Sequence, residues 1–207
     1  MMISRSSHWL GTLITGVLRT AACLTLALSF QVHAQNSSPM ATVETTVNAI
    51  LAILRNDTLE AAEARTLMRA EISKSFDARA MSQSVLSTNW RDASKEQQDE
   101  FQTLFMQTLE NTYIGRVEAY TNEQVDFKKE DIKNNRATVD TAILASSNEI
   151  PVNYKLRQRS DGWFVYDVEV ENVSMVSSYR ETYRSVVRRD GMDGLLAQMR
   201  EKAAQLL

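Results

Sequence analysis

The 207-residue sequence predicts an α+β fold in which N-terminal helices lead into a four-stranded, curved antiparallel sheet (a meander) followed by C-terminal helices. Three observations predict it. Apolar residues recur at the helical period of about 3.6 from Val43 to Tyr120. From Val125 to Val170 the period shortens to about two, with clusters of turn-forming residues between the runs. Helical spacing returns at Tyr179 and continues to Leu206.

Each element has its own signal. Residues 35–41 are polar and aperiodic and read as a mobile leader. Val43, Val47, Ile50, Leu51 and Leu54 then form one face of a helix ending near Asn56. Asp57 or Thr58 can cap a second helix to about Ser73, with Leu59, Ala62, Leu67 and Ala70 inward. A short third helix follows Asp77 and carries Met81, Val85 and Leu86 toward Trp90. The longest starts at Ser94, where Ser94-Lys95-Glu96-Gln97 is a capping box. Its apolar face is Phe101, Leu104, Phe105, Leu109, Tyr113, Val117 and Tyr120; Gly115 costs it about 1 kcal/mol relative to alanine.

The strands are Val125 and Phe127; Ala137, Val139, Thr141 and Ile143; Ile150, Val152, Tyr154 and Leu156; and Trp163 to Val170. Asn134-Asn135, Ser146-Ser147-Asn148 and Ser160-Asp161-Gly162 connect them as hairpins. Polar alternates such as Thr138 and Asp140 imply that part of one face is wet. The fourth strand is apolar on both sides and is expected to be covered on both faces. Tyr179, Tyr183, Val186 and Val187 follow on a helix that breaks at Asp190-Gly191, and a last helix carries Leu195, Leu196, Met199, Ala203 and Leu206.

The first 34 residues read as a cleavable export signal. Arg5 and Arg19 precede an apolar run from Ala21 to Phe30, and Val32-His33-Ala34 supplies a cleavage site before Gln35. A membrane anchor needs roughly 20 consecutive apolar residues, and Arg19 divides this stretch into shorter pieces. Apolar residues continue after Cys23, which is the wrong order for an acylated cysteine. Removal of 34 of the 207 residues leaves 173, enough for one domain over 42–207. Arg5 and Arg19 depart with the segment, so the net charge of −3 becomes −5. A mildly acidic chain without a basic run has no electrostatic footprint for nucleic acid. The only cysteine, Cys23, and the only histidines, His8 and His33, also depart. No disulfide, thiolate nucleophile, histidine-assisted triad or ordinary zinc site can then be built.

No phosphate-binding glycine loop or calcium loop is present. Acidic pairs such as Asp99-Glu100 and Glu130-Asp131 lie among polar residues, as solvated faces do. One ordered set of short motifs stands out: Phe76-Asp77, Val85-Leu86-Ser87-Thr88-Asn89-Trp90, and Ser94 to Gln98 followed by Phe101, Phe105, Leu109 and Tyr113. Further on come Ile150-Pro151-Val152-Asn153-Tyr154, Gly162-Trp163, Val165-Tyr166-Asp167-Val168, Val173-Ser174-Met175-Val176 and Tyr179-Arg180. In order and spacing this set, from about Val43 to Leu206, resembles the MlaC family, also called toluene-tolerance auxiliary proteins. Ser87 departs from the pattern, since the family usually has glycine there.

The resemblance implies a periplasmic phospholipid-binding shuttle of Gram-negative bacteria. Such carriers work in an ABC-type lipid transport system that maintains outer-membrane lipid asymmetry. The implied partners are an inner-membrane ABC transporter with an MCE-domain ring and an outer-membrane lipoprotein–porin complex. It implies no metal, no cofactor beyond the bound phospholipid, no bond chemistry, a monomer, and acyl tails held in an apolar pocket between sheet and helices. Suitable side chains are Val139, Ile143, Val152, Tyr154, Leu156, Trp163 and Val165 on the sheet, Phe105, Leu109 and Tyr113 on the long helix, and Val173, Met175 and Tyr179 after the sheet. Arg180 and Arg184, one turn apart, are candidates for the head-group phosphate. Two alternatives stay open: a small cone-fold enzyme using Tyr166 and Asp167, and a periplasmic chaperone or adaptor binding clients through exposed apolar surface. Adjacent strand positions point to opposite faces, which argues against the Tyr166–Asp167 pair.

Overall fold

A serine followed by a proline is a helix start signal, and the chain uses it two residues before the expected end of the leader. In the computed structural model, which describes residues 37–118, 124–145 and 148–205, helix α1 spans Pro39–Leu54. Ser38 accepts a hydrogen bond from the Ala41 N–H at 3.0 Å, and Pro39 occupies the first turn, where its missing N–H is no loss. The expected signal segment 1–34 and its cleavage after Ala34 lie outside the described residues, as do Tyr120, Ser146-Ser147 and Leu206.

Helix α2 (Ala61–Ser75) starts later and turns differently from the expectation. Thr58 bonds back to Asn56 through both its N–H (3.1 Å) and its hydroxyl (2.7 Å), a local turn that competes with capping. The inward face is Met68, Ile72 and Ser75, whereas Leu67 is 40% exposed and Ala62 and Ala70 face solvent. Alanines on several sides make the stripe ambiguous, and contact with α1 decides it: Thr46 donates to the buried Ser75 hydroxyl at 2.8 Å.

Helix α3 (Ala78–Leu86) is capped by Asp77, which accepts from the Ala80 N–H at 2.8 Å. Met81, Val85 and Leu86 are buried as expected, and the short helix α4 (Asn89–Asp92) buries Trp90. The turn between them places Ser87 at φ 53°, ψ −121°, a conformation suited to glycine. Helix α5 (Lys95–Glu118) opens on the expected reciprocal box: the Ser94 N–H donates to Gln97 Oε1 at 2.9 Å, and the Gln97 N–H donates to Ser94 Oγ at 3.2 Å.

The antiparallel sheet has five strands rather than four, in the order β1 (Gln124–Lys133), β2 (Arg136–Leu144), β3 (Glu149–Arg159), β4 (Gly162–Val170) and β5 (Val173–Ser174). A two-residue strand has no periodicity to find. It forms because Glu171 and Asn172, both at positive φ, fold the chain tightly back onto β4. Strand β4 contains a bulge, since Leu156 pairs with Val165 and Lys155 with Asp167, leaving Tyr166 as the extra residue. Alternation slips there, so Trp163, Val165, Val168 and Val170 all lie on the α1 side. Tyr166 packs on the other side. Asp167, which is buried, accepts from Ser174 Oγ at 2.6 Å and the Val176 N–H at 3.1 Å, which ties β4 to the start of the next helix. Asp167 thus serves as a structural link between β4 and the helix that follows.

That helix, α6 (Met175–Ala204), is capped by Ser174 and breaks at Gly191 (φ 72°, ψ −177°), as the Asp190-Gly191 signal predicts. Two apolar clusters result. One joins α3, α4, α5 and α6, with Phe101 and Phe105 stacked at 5.7 Å and Tyr183 edge-on to both. The other joins α1 to the sheet through Val43, Val139, Leu156, Trp163 and Val165. Phe76 and Met175 touch both clusters.

Asp77 also clamps α3 to the sheet, accepting from Arg157 Nε at 2.9 Å and Arg159 Nη1 at 3.3 Å. Burial is the largest single influence on its carboxyl and disfavours the charge. The Ala80 N–H and the two guanidinium groups together outweigh burial and hold Asp77 below the ordinary carboxylate range.

Candidate functional site

Helix α1 presents Val43, Val47, Ile50, Leu51 and Leu54 to the sheet, yet all of these except Val43 remain only partly buried. They are partly uncovered because they face a cavity of about 560 Å³, a size within the range of roughly 300–1,000 Å³ usual for ligand pockets. The facing wall comes from Thr141 and Ile143 on β2, Ile150, Val152 and Tyr154 on β3, and Val165, Val168 and Val170 on β4, with Val125 from β1. Ile72 and Phe76 at the end of α2, Met175 and Ser178 on α6, and Tyr113, Arg116 and Val117 on α5 complete the enclosure.

The threonine hydroxyls in the wall are satisfied within the protein. Thr141 Oγ1 donates to the Val152 carbonyl at 2.7 Å, and Thr46 Oγ1 lies 2.9 Å from the Thr42 carbonyl as well as against Ser75. A bonded hydroxyl presents mainly its methyl group, so the wall is effectively hydrocarbon. Burial pushes the Tyr154 phenol up to about 12. The Tyr113 phenol is also raised, by burial first and by Tyr179 second. Charge enters the lining only with Arg116 and Glu171, both exposed. Arg116 lies 5.9 Å from the Tyr113 ring centroid, and among the described residues no carboxylate pairs with it. Such a lining can enclose an apolar ligand. Among the described residues no cluster of His, Cys, Asp or Glu is placed to hold a metal.

Of the side chains expected from the sequence, Tyr113, Ile143, Val152, Tyr154, Val165, Val173 and Met175 line this cavity. Phe105, Leu109 and Tyr179 lie instead in the α3–α6 cluster, and Val139, Leu156 and Trp163 in the solid part of the α1–sheet cluster. Arg180 and Arg184 do not line it: Arg180 Nε donates to the Ser84 carbonyl at 2.7 Å, and Arg184 is exposed on α6. The contribution missed in the sequence is that of α1, which supplies six lining residues. Its signal was visible, since α1 is more apolar than a helix of this length needs to be to cover one end of a sheet.

The sequence model for MlaC protein matches residues 44–201, three quarters of the chain, from the first turns of α1 to the end of α6. The chain belongs to the MlaC family. Among curated MlaC-type relatives, it is 24% identical over 147 residues to the intermembrane phospholipid transport system binding protein MlaC of Haemophilus influenzae, covering 68% of this chain and 69% of that one. It is 28% identical over 121 residues to toluene tolerance protein ttg2D of Pseudomonas putida, covering 56% of each. The fold is shared with the phospholipid-binding protein of Ralstonia solanacearum, solved in complex with a phospholipid. The TM-score is 0.77 at 24% identity, over 82% of this chain and 99% of that one. Ser87, the position at which the sequence departs from the expected pattern, has a positive φ of 53°. Among the described residues no helix is long and apolar enough to cross a membrane.

Proposed function

We propose that this chain is a phospholipid carrier that performs no bond chemistry, holding acyl tails in the α1–sheet cavity and the head group at its rim. The observation that supports the reading is the hydrocarbon-walled cavity of about 560 Å³ in a chain of the MlaC family. A diacyl lipid carries on the order of thirty methylenes, and at about 0.8 kcal/mol each their exposure to water would cost more than 20 kcal/mol. The phosphate has the opposite requirement, since burying it unpaired is prohibitive. An apolar interior with its charge confined to an exposed rim meets both needs.

In this reading the tails lie against Ile50, Leu51 and Leu54 on one side and Ile143, Val152, Tyr154 and Val165 on the other. Tyr113, Val173 and Met175 bound the slot, and Arg116 rather than Arg180 or Arg184 attends the head group. The export signal 1–34 is removed and the domain 42–207 works in the periplasm as a monomer with phospholipid as its only bound group. It passes lipid between an outer-membrane lipoprotein–porin complex and an inner-membrane ABC transporter with an MCE-domain ring, and so serves outer-membrane lipid asymmetry. The names of the relatives support lipid transport. Against a client-binding chaperone, the large exposed apolar side chains Leu67, Ile132, Leu144 and Val173 are scattered over α2, β1, β2 and β5.

Extraction of a fluorescent phospholipid from vesicles tests this reading. The wild-type protein is expected to remove the probe, and Ile50→Glu, which puts a carboxylate into the tail slot at a half-buried position, is expected to remove less than about a tenth as much while keeping its circular dichroism. Equal extraction by the two proteins would contradict the reading.

A further inference from the structure

A second concavity, of about 380 Å³, lies on the face of the sheet away from α1 and shares no lining residue with the apolar cavity. It is bounded by α3 and the hairpin ends of β2 and β3. Arg136, Arg157 and Arg159 line it, the other polar side chains are amides and hydroxyls, and no aspartate or glutamate is among the lining residues. In a chain of net charge −3 this is a local inversion of sign.

The charges within it do not cancel. Asp77, buried against the arginines, takes Arg157 and Arg159, and Asp161 lies 3.5 Å from Arg159. Arg136 has no carboxylate partner among the described residues; it lies over the Tyr166 ring at 5.5 Å, with Nη1 3.4 Å from the phenolic oxygen. Arg136 and Arg157 are also directly opposite in the β2–β3 register. Like charges facing each other across a ladder repel and lower stability. The pair is kept on one wall of a cleft where an incoming anion would relieve the repulsion. Asp77 already fixes two of the guanidinium forks, so little freedom remains to be lost when they grip a carboxylate.

We propose that this cleft is a docking site for an acidic protein segment, whose Asp or Glu carboxylates are taken by the guanidinium groups. An anionic bilayer surface fits less well. The arginines converge into a hollow rather than spreading over a convex patch, and the least polar lining residues, Ala80 and Tyr166, are not exposed and offer nothing to insert. The proposal does not depend on what fills the apolar cavity.

Anisotropy of a fluorescein-labelled hexaglutamate peptide, titrated with the purified protein at low and physiological salt, tests it. The wild type is expected to bind, more weakly as salt rises, and Arg136→Glu to lose at least about tenfold in affinity. That variant leaves both arginine partners of Asp77 in place and removes the Arg136–Arg157 repulsion, so its thermal midpoint should be equal or higher. Lys202→Glu, on the last turn of α6, makes the same change of charge outside the cleft and should bind as the wild type does. Absence of peptide binding, or equal loss in both variants, would overturn the proposal. Arg136-dependent binding to phosphatidylglycerol vesicles without peptide binding would overturn it in favour of a membrane. Co-purified phospholipid is expected to be unchanged in Arg136→Glu, and its loss would overturn the separateness of the two sites.

Discussion

Ser87 shows how a single residue records a constraint of the backbone. The turn from α3 into α4 demands φ 53° with ψ −121°, and a serine Cβ meets that demand at a cost of roughly 1–3 kcal/mol. The turn persists because its neighbours fix it: the Ser87 N–H donates to the Gln83 carbonyl at 2.9 Å, and Trp90, its N–H 3.3 Å from the Ser87 carbonyl, is buried in the α3–α6 cluster. The side chain itself is exposed. Ser87→Gly is therefore expected to stabilise the protein by about 1 kcal/mol after the entropy of glycine in the unfolded chain is subtracted, raising the thermal midpoint by about 2–4 °C. Calorimetry of the two proteins checks this, and a lowered midpoint would mean that the turn is not strained.

At the scale of elements, Asp77 couples helix α3 to strand β3, because one carboxylate caps the helix and also holds Arg157 and Arg159. Its pKa is depressed, so its contribution is present above the ordinary aspartate value near 4 and is lost as pH falls through the folded-state value. Asp77→Asn keeps a capping oxygen and removes the charge. It is expected to lower stability by about 1–2 kcal/mol at neutral pH, a modest figure because both arginines reach solvent. Urea denaturation at pH 7 and pH 2 should show the gap between the two proteins closing in acid. A gap of equal size at both pH values would show that charge is not what holds the junction.

Most elements were legible in the sequence where a periodic pattern met a cap or turn signal. The Ser94 box, the helix start after Asp77 and the break at Gly191 are examples. The pattern failed where neighbours rather than period decide. Leu67 and Met68 are equally apolar, and contact with α1 selects Met68. The bulge at Tyr166 and the two-residue β5 leave no periodic trace. The candidate site was half legible for the same reason. Phe105 and Tyr113 stand on one stripe of α5, but Phe105 meets Tyr179 and Tyr183 in close packing, whereas Tyr113, two turns further along, reaches the cavity. Hydrophobicity alone cannot distinguish a residue that packs against protein from one that lines a cavity.

Over the whole molecule, the two apolar clusters have different characters. The α3–α6 cluster is filled by interlocking aromatic rings and braces the sheet, while the α1–sheet cluster is solid near Leu156 and Trp163 and hollow toward Val152 and Val170. A hollow of this size lowers stability unless something occupies it, since each lost contact and uncovered methyl group has a cost. Stored apolar surface of this kind is what a carrier needs and what a purely structural domain avoids. Mass spectrometry of the denatured protein, purified without added ligand, tests the central claim most directly. Phospholipid close to one molecule per chain is expected. Repeated preparations of folded protein free of phospholipid would contradict the account.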